Sequence, residues 1–258
     1  MASLGFLSWL PATGLRSRTQ REISDSRAYF PLVGLLIGLV LVVLEAGFSR
    51  VVPIYLTAAV LVTFPIVATR GLHLDGLMDV CDGIFGGATP ERRLEIMRDS
   101  RSGAFAVAGA LSIMLLKYGA MVSLLTLPGP EKVWTLALFP TASRWAMVVA
   151  LAAFPYARSR GLGSPFHQGD IWPATILAAA TALAIAVVVA GIGGLVIVLG
   201  ITGLAWLAGR GMASMLGGLT GDTYGAINEI SEVAALMAAV ALIPQGLMDP
   251  LPRLLGAV

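Results

Sequence analysis

Charge is what this chain has least of. Only 12% of its 258 residues are Asp, Glu, Lys or Arg, against 57% hydrophobic, where a soluble domain carries about a quarter charged residues. That deficit excludes an ordinary soluble domain. A net charge of +2 and the lack of any Lys/Arg-rich run exclude nucleic acid as a partner. A single cysteine, Cys81, excludes an internal disulfide framework and a Cys-based zinc site. Linkers, repeats and low-complexity stretches are missing too, so residues 1–258 read as one integral membrane domain. A cleaved leader is not expected. The patch Leu4–Leu10 has no basic flank before it and ends at Pro11. With Phe6 and Trp9 it reads as a helix lying on the bilayer, making 1–28 a cytoplasmic or interfacial N-terminal segment.

Long apolar runs, by contrast, are abundant. About 20 apolar residues cross a bilayer core, and seven runs qualify: Tyr29–Phe48, Val51–Thr69, Gly103–Leu127, Val133–Tyr156, Trp172–Ala190, Ile192–Gly209 and Val233–Met248. The expected fold is all-α, a polytopic membrane helix bundle of about seven transmembrane helices, with tight hairpins after the first and fifth. Arginine and lysine then sort by side. Arg16, Arg18, Arg21, Arg27, Arg70, Arg92, Arg93, Arg98, Arg101, Arg158, Arg160 and Arg210 fall on one side, and Arg50, Lys132 and Arg253 on the other. Twelve against three places the N-terminus in the cytoplasm and the C-terminus outside. Residues 70–102 become a cytoplasmic acidic and basic catalytic segment. Gly34 and Gly38 form a GxxxG pair, read as close packing within the bundle or as a contact in a homo-oligomer.

The chemistry concentrates in Gly71-Leu72-His73-Leu74-Asp75-Gly76-Leu77-Met78-Asp79-Val80-Cys81-Asp82-Gly83. Asp75, Asp79 and Asp82 stand at i, i+4 and i+7, within roughly 60° of one another on a helix. Like charges on one stripe at a membrane boundary repel one another and are costly to desolvate. They imply a resident cation, and oxygen donors suit Mg²⁺ or Mn²⁺. Alternatively the aspartates cap helix ends or pair with the nearby arginines. Arg92, Arg93, Arg98 and Arg101 follow, with guanidinium forks that match phosphate oxygens. Asp99 is close enough to fold back as a fourth catalytic carboxylate. A third element, Gly217 to Glu232, offers Asp222, Asn228, Glu229 and Glu232 among glycines. It is either a bare turn or part of a composite site. His73 binds a carboxylate or substrate, or is structural; Lys117 and Arg144, deep in their spans, must face a polar interior.

These segments resemble the cobalamin synthase family, the adenosylcobinamide-GDP ribazoletransferases. The matching stretches are Tyr29 to Gly38, His73-Leu74-Asp75-Gly76 through Asp82-Gly83, Arg93 to Arg101, and Thr220-Gly221-Asp222-Thr223 through Glu232. The resemblance implies an Mg²⁺-dependent transferase in a prokaryotic cytoplasmic membrane, with its active site on the cytoplasmic side. The substrates it implies are adenosylcobinamide-GDP and α-ribazole or its 5′-phosphate, and the products adenosylcobalamin or its 5′-phosphate and GMP. On that reading Asp75, Asp79, Asp82 and Asp222 hold the metal, while Arg93, Arg98, Arg101, His73, Asp222, Asn228 and Glu229 bind substrate. The Asp79–Gly83 element also looks like part of the CDP-alcohol phosphotransferase signature. The Ala-Arg expected after it is replaced by Ile84-Phe85-Gly86-Gly87, which argues against a lipid synthase. A cation-coupled transporter is the remaining alternative, disfavoured because the acids gather at one face.

Overall fold

Nearly uninterrupted apolar runs leave the backbone to satisfy its own hydrogen bonds, which in a bilayer means helices. A computed structural model describes residues 19–158, 161, 163–167 and 170–250; the Leu4–Leu10 segment lies outside them. Among the described residues the helices are α1 (Gln20–Asp25), α2 (Phe30–Phe48), α3 (Ile54–Ala68), α4 (Leu72–Gly86), α5 (Pro90–Ile96), α6 (Ala104–Thr126), α7 (Glu131–Ala153), α8 (Trp172–Leu216) and α9 (Gly221–Leu242). The chain is thus an all-α membrane bundle. Among the described residues five helices are long and apolar enough to cross a membrane, or six if the bent pair α3–α4 counts as one span.

Helix α7 is the axis of the bundle. It is buried continuously from Thr135 to Leu151, and α2, α8 and α9 pack around it. The lipid-facing sides show the inverse pattern, with Val43, Leu111, Leu115, Ile176, Leu199 and Leu207 all exposed. The GxxxG pair is used inside the molecule. A Cβ on Gly34 would overlap the Pro140 carbonyl, and one on Gly38 would lie 2.6 Å from the Leu136 carbonyl oxygen. Pro140 has no N–H to give that Leu136 carbonyl, so the exposed acceptor meets a glycine face. Gly34→Leu is therefore expected to push α2 off α7 and to cost about 1–3 kcal/mol. Gly47→Leu, on the same helix but with open space at its Cβ, is expected to leave the melting temperature in detergent unchanged. Equal melting of the two variants would refute this packing.

The fifth and sixth runs join in the tight hairpin expected, with no loop between them. They form one 45-residue helical stretch interrupted at Gly191 (φ 54°, ψ −134°). A straight helix of that length would span roughly 67 Å. Instead, His167, five residues before α8, bonds Tyr224 at the start of α9, and Ala157 and Leu219 near the end of α8 pair through the backbone. The middle of α8 lies at the opposite end, where the Gly193 N–H donates to the Leu247 carbonyl at 2.7 Å. So α8 folds back on itself, with a first limb 172–190 and a second limb 192–216. A Cβ on Gly194 would overlap the Ala186 carbonyl across the fold.

Two further boundaries move. The run Val51–Thr69 yields only the 15-residue α3, which turns by 86° into α4 through Arg70 (φ 55°) and Gly71 (φ 74°). Residues 70–102 are accordingly no plain loop, since α4 enters the bundle. The last helix begins at Gly221 rather than Val233. Its first half carries Asp222, Glu229 and Glu232, and the fold accommodates them by pairing.

Candidate active site

The approach of α4 to α9 creates the site. A Cβ on Gly76 would lie 2.7 Å from the Asp222 carbonyl oxygen, and one on Gly225 would lie 2.9 Å from that of His73. Only glycine lets two helix backbones come this close. Because Gly76 sits between Asp75 and Asp79 in sequence, the contact inserts Asp222 into the aspartate stripe. Asp222 occupies the first turn of α9, which Thr220 opens with a capping box: the Thr223 N–H donates to Thr220 Oγ1 at 3.3 Å, and the Thr220 N–H to Thr223 Oγ1 at 2.9 Å.

The charges around this contact are unbalanced. Half-buried Asp79 feels Asp222, Asp75 and Asp82, and among the described residues the one base acting on it is Arg158. Arg158 Nη2 lies 3.0 Å from Asp222 Oδ2. Asp75 is exposed. Asp82 is buried and accepts from the Gly103 N–H (2.5 Å) and the Ala106 N–H (2.8 Å). It thereby caps the start of α6, where the helix dipole favours an anion. The helix-capping alternative thus describes one aspartate of the three. Each Asp82 oxygen still keeps a lone pair, so the cap fixes its position without removing it from the site. Among the described residues no three His, Cys, Asp or Glu side chains converge closely enough to hold an ion as they stand.

The remaining candidates scatter. Arg93 donates to the carbonyls of Gly87 (2.9 Å) and Met215 (3.0 Å), tying α5 to the end of α8. Arg92 pairs with Glu95 at the surface. Asp99 and Arg101 form an exposed fork at 2.6 Å, and the Arg101 hydrogen bonds hold the Asp99 carboxyl down at about 2. Asp99 is not among the charges acting on Asp79. Arg98 is exposed beside this pair.

His73, Asn228 and Glu229 turn inward instead. Lys117 Nζ lies 2.5 Å from Glu229 and 2.8 Å from Glu232, and Arg144 pairs with Glu232. Asn228 Nδ2 donates to Glu232 at 3.2 Å. All are buried. Glu232 stands 11 residues into α9, about 16 Å from its start, so not every acid lies at one face. Two cations meet two anions, which is how ions persist away from water. His73 Nε2 and Asn228 Oδ1 remain buried without partners.

Sequence reasoning left three site residues out: Arg158, His167 and Tyr224. His167 stands in the connection between α7 and α8. It is half-buried, its Nε2 sits 2.8 Å from the Tyr224 hydroxyl, and its ring lies between Tyr156 and Tyr224. Burial, and then the Arg27 charge, holds His167 below its ordinary pKa, so the ring is neutral at pH 7. Buried Arg27 donates to the Phe166 and Asp170 carbonyls and pins the same connection from below. These contacts hold the connection that follows Arg158 against the start of α9, whose first turn carries Asp222. The available signal was the need of an acidic cluster for a counter-cation on the same side. Tyr224→Phe is expected to cost about 0.5–1.5 kcal/mol of stability and to lower turnover through a less fixed Arg158. An unchanged melting temperature and an unchanged rate would refute that role.

The family model for cobalamin-5-phosphate synthase matches residues 1–240. The adenosylcobinamide-GDP ribazoletransferase of Syntrophobacter fumaroxidans is 41% identical over 247 residues, covering 93% of this chain and 97% of its own. Those of Roseiflexus sp. (40% identical; 95% and 90% covered) and Desulfitobacterium hafniense (36%; 93% and 96%) are similar over the same extent. No solved structure matches.

Proposed function

This chain belongs to the cobalamin-5-phosphate synthase family, and from that membership we propose that it transfers the cobinamide phosphate of adenosylcobinamide-GDP to α-ribazole or its 5′-phosphate, releasing GMP. The observation that carries the reading is the junction of α4 and α9, where Asp222 joins Asp75 and Asp79 opposite Arg158. Excess negative charge from oxygen donors alone fits Mg²⁺ in chemistry. Asp75, Asp79 and Asp222 would hold it, with Asp82 fixed behind them. A bound Mg²⁺ would neutralise the diphosphate and the departing GMP. The residues do the rest. One carboxylate of the cluster accepts the proton of the attacking ribazole hydroxyl. Arg158 is freed from Asp222 to face a phosphate oxygen, and Arg98 and Arg101 supply guanidinium groups to the nucleotide.

Counting the bent pair α3–α4 as one crossing and the two limbs of α8 as two would make seven spans, a reading that the reversal at Gly191 supports. The arginine asymmetry supports a cytoplasmic N-terminus and acidic cluster.

Purified protein in lipid vesicles, given adenosylcobinamide-GDP, α-ribazole and Mg²⁺, is expected to release GMP as cobalamin forms, and to stop in EDTA. GMP release that persists in EDTA would remove the metal. Release of CMP from a CDP-activated lipid, with none of GMP, would replace the reaction.

A further inference from the structure

We propose that a cavity at the site-side end of α8's second limb binds the headgroup of an anionic phospholipid, with Arg210 as its phosphate ligand. The cavity measures about 610 Å³ and is lined by Phe154, Leu207, Arg210, Gly211, Ala213 and Ser214. Its walls are apolar or small, and Arg210 is its one charged group. Among the described residues Arg210 has no carboxylate partner, whereas Arg93, Arg101, Arg144 and Arg158 are each engaged by carbonyl or carboxylate. Its guanidinium instead sits 5.6 Å over the ring of Trp206, one turn back, which orients the cation without neutralising it.

Position supplies the second argument. Leu199, Trp206 and Leu207 are exposed along the same limb, so the limb faces acyl chains. Gly209 lies against Phe154, and the helix ends at Leu216, where Leu219 pairs with Pro155 and Ala157. The cavity therefore opens where the apolar side of the bundle meets the end that carries the acidic site. Tryptophan and arginine at that level are the pair expected at a lipid headgroup boundary. An amphiphile with an anionic phosphate and apolar chains satisfies Arg210 and the Leu207 wall together. A free phosphate would satisfy only the first.

The test uses the full chain in detergent, titrated with phosphatidylglycerol or phosphatidylcholine and read by native mass spectrometry. The parent is expected to retain phosphatidylglycerol in preference to phosphatidylcholine. Arg210→Gln is expected to weaken that retention roughly fivefold or more. Gly211→Leu fills the cavity while keeping the arginine. A Cβ at Gly211 meets nothing within 4 Å and leucine is the better helix former, so this variant is expected to fold and to lose the lipid even if Arg210→Gln does not fold. Equal retention of both lipids by the parent, or parental retention by folded Arg210→Gln or by Gly211→Leu, would overturn the proposal. Displacement by millimolar glycerol 3-phosphate would do so as well, since it would assign the cavity to a soluble phosphate.

Discussion

Asp79→Asn is expected to reduce GMP release on the order of 10³-fold while leaving the protein folded, with a melting temperature equal to or above the parent's. The rate loss follows from removing the carboxylate at the centre of the cluster, since a single preorganised electrostatic group is worth about 10²–10³ in rate and a metal site more. The preserved stability follows from the same geometry. Asp79 is surrounded by Asp222, Asp75 and Asp82 with one base to answer them, so neutralising it relieves repulsion. Asp82→Asn should behave in the opposite manner. Its oxygens accept the Gly103 and Ala106 amides, and an asparagine can serve only one of them as acceptor. About 1 kcal/mol of the α6 cap is lost, and turnover falls only as far as the start of α6 shifts. The pair of variants separates chemistry from scaffolding. Parental turnover by Asp79→Asn in a melted-as-expected protein would dissolve the proposed site, whereas a strongly destabilised Asp79→Asn would mean that the carboxylate is structural.

Lys117→Met is expected to cost about 3–5 kcal/mol, because it leaves Glu229 as an uncompensated anion in the bundle interior. Lys117 is the one cation within reach of Glu229 among the described ion pairs, and both are buried. The double variant Lys117→Met/Glu229→Gln should recover most of that loss, since Arg144 and Glu232 remain paired. Thermal melting in detergent reads both. A single variant as stable as its parent would show the network to be solvated, and a double no better than the single would show that the two residues do not interact. The same cycle bears on the transporter alternative. A neutral, mutually paired quartet has no charge to move, and its recovery on joint neutralisation would identify it as scaffolding between α6, α7 and α9.

The packing glycines illustrate how far pattern reading reaches. Gly34 and Gly38 announce a close helix contact by spacing alone, and the contact exists. Their partner, the proline-opened stretch of α7, carries no mark in the sequence that pairs it with them. Gly76 and Gly225 are further apart still, and nothing in either neighbourhood states that their backbones touch. Yet that touch is what brings Asp222 to Asp79. The Trp172–Leu216 stretch shows the converse. Hydropathy divides it into two runs correctly, while the backbone continues helically up to and beyond a single glycine that reverses it.

Composition and periodicity determined the membrane class, the helical fold and the stripe Asp75–Asp79–Asp82, because each depends on residues near one another in the chain: hydropathy sums over about 20 positions and helical phase over seven. Tertiary structure alone decided which acids gather at the candidate site and which are paired in the bundle interior. Asp222 and Arg158 join the stripe, Glu229 and Glu232 withdraw to Lys117 and Arg144, and Asp99 stays with Arg101. The physical reason is that a carboxylate's role is set by the charges within a few ångströms of it, and those include residues as distant in the chain as Lys117 and Glu229, 112 positions apart.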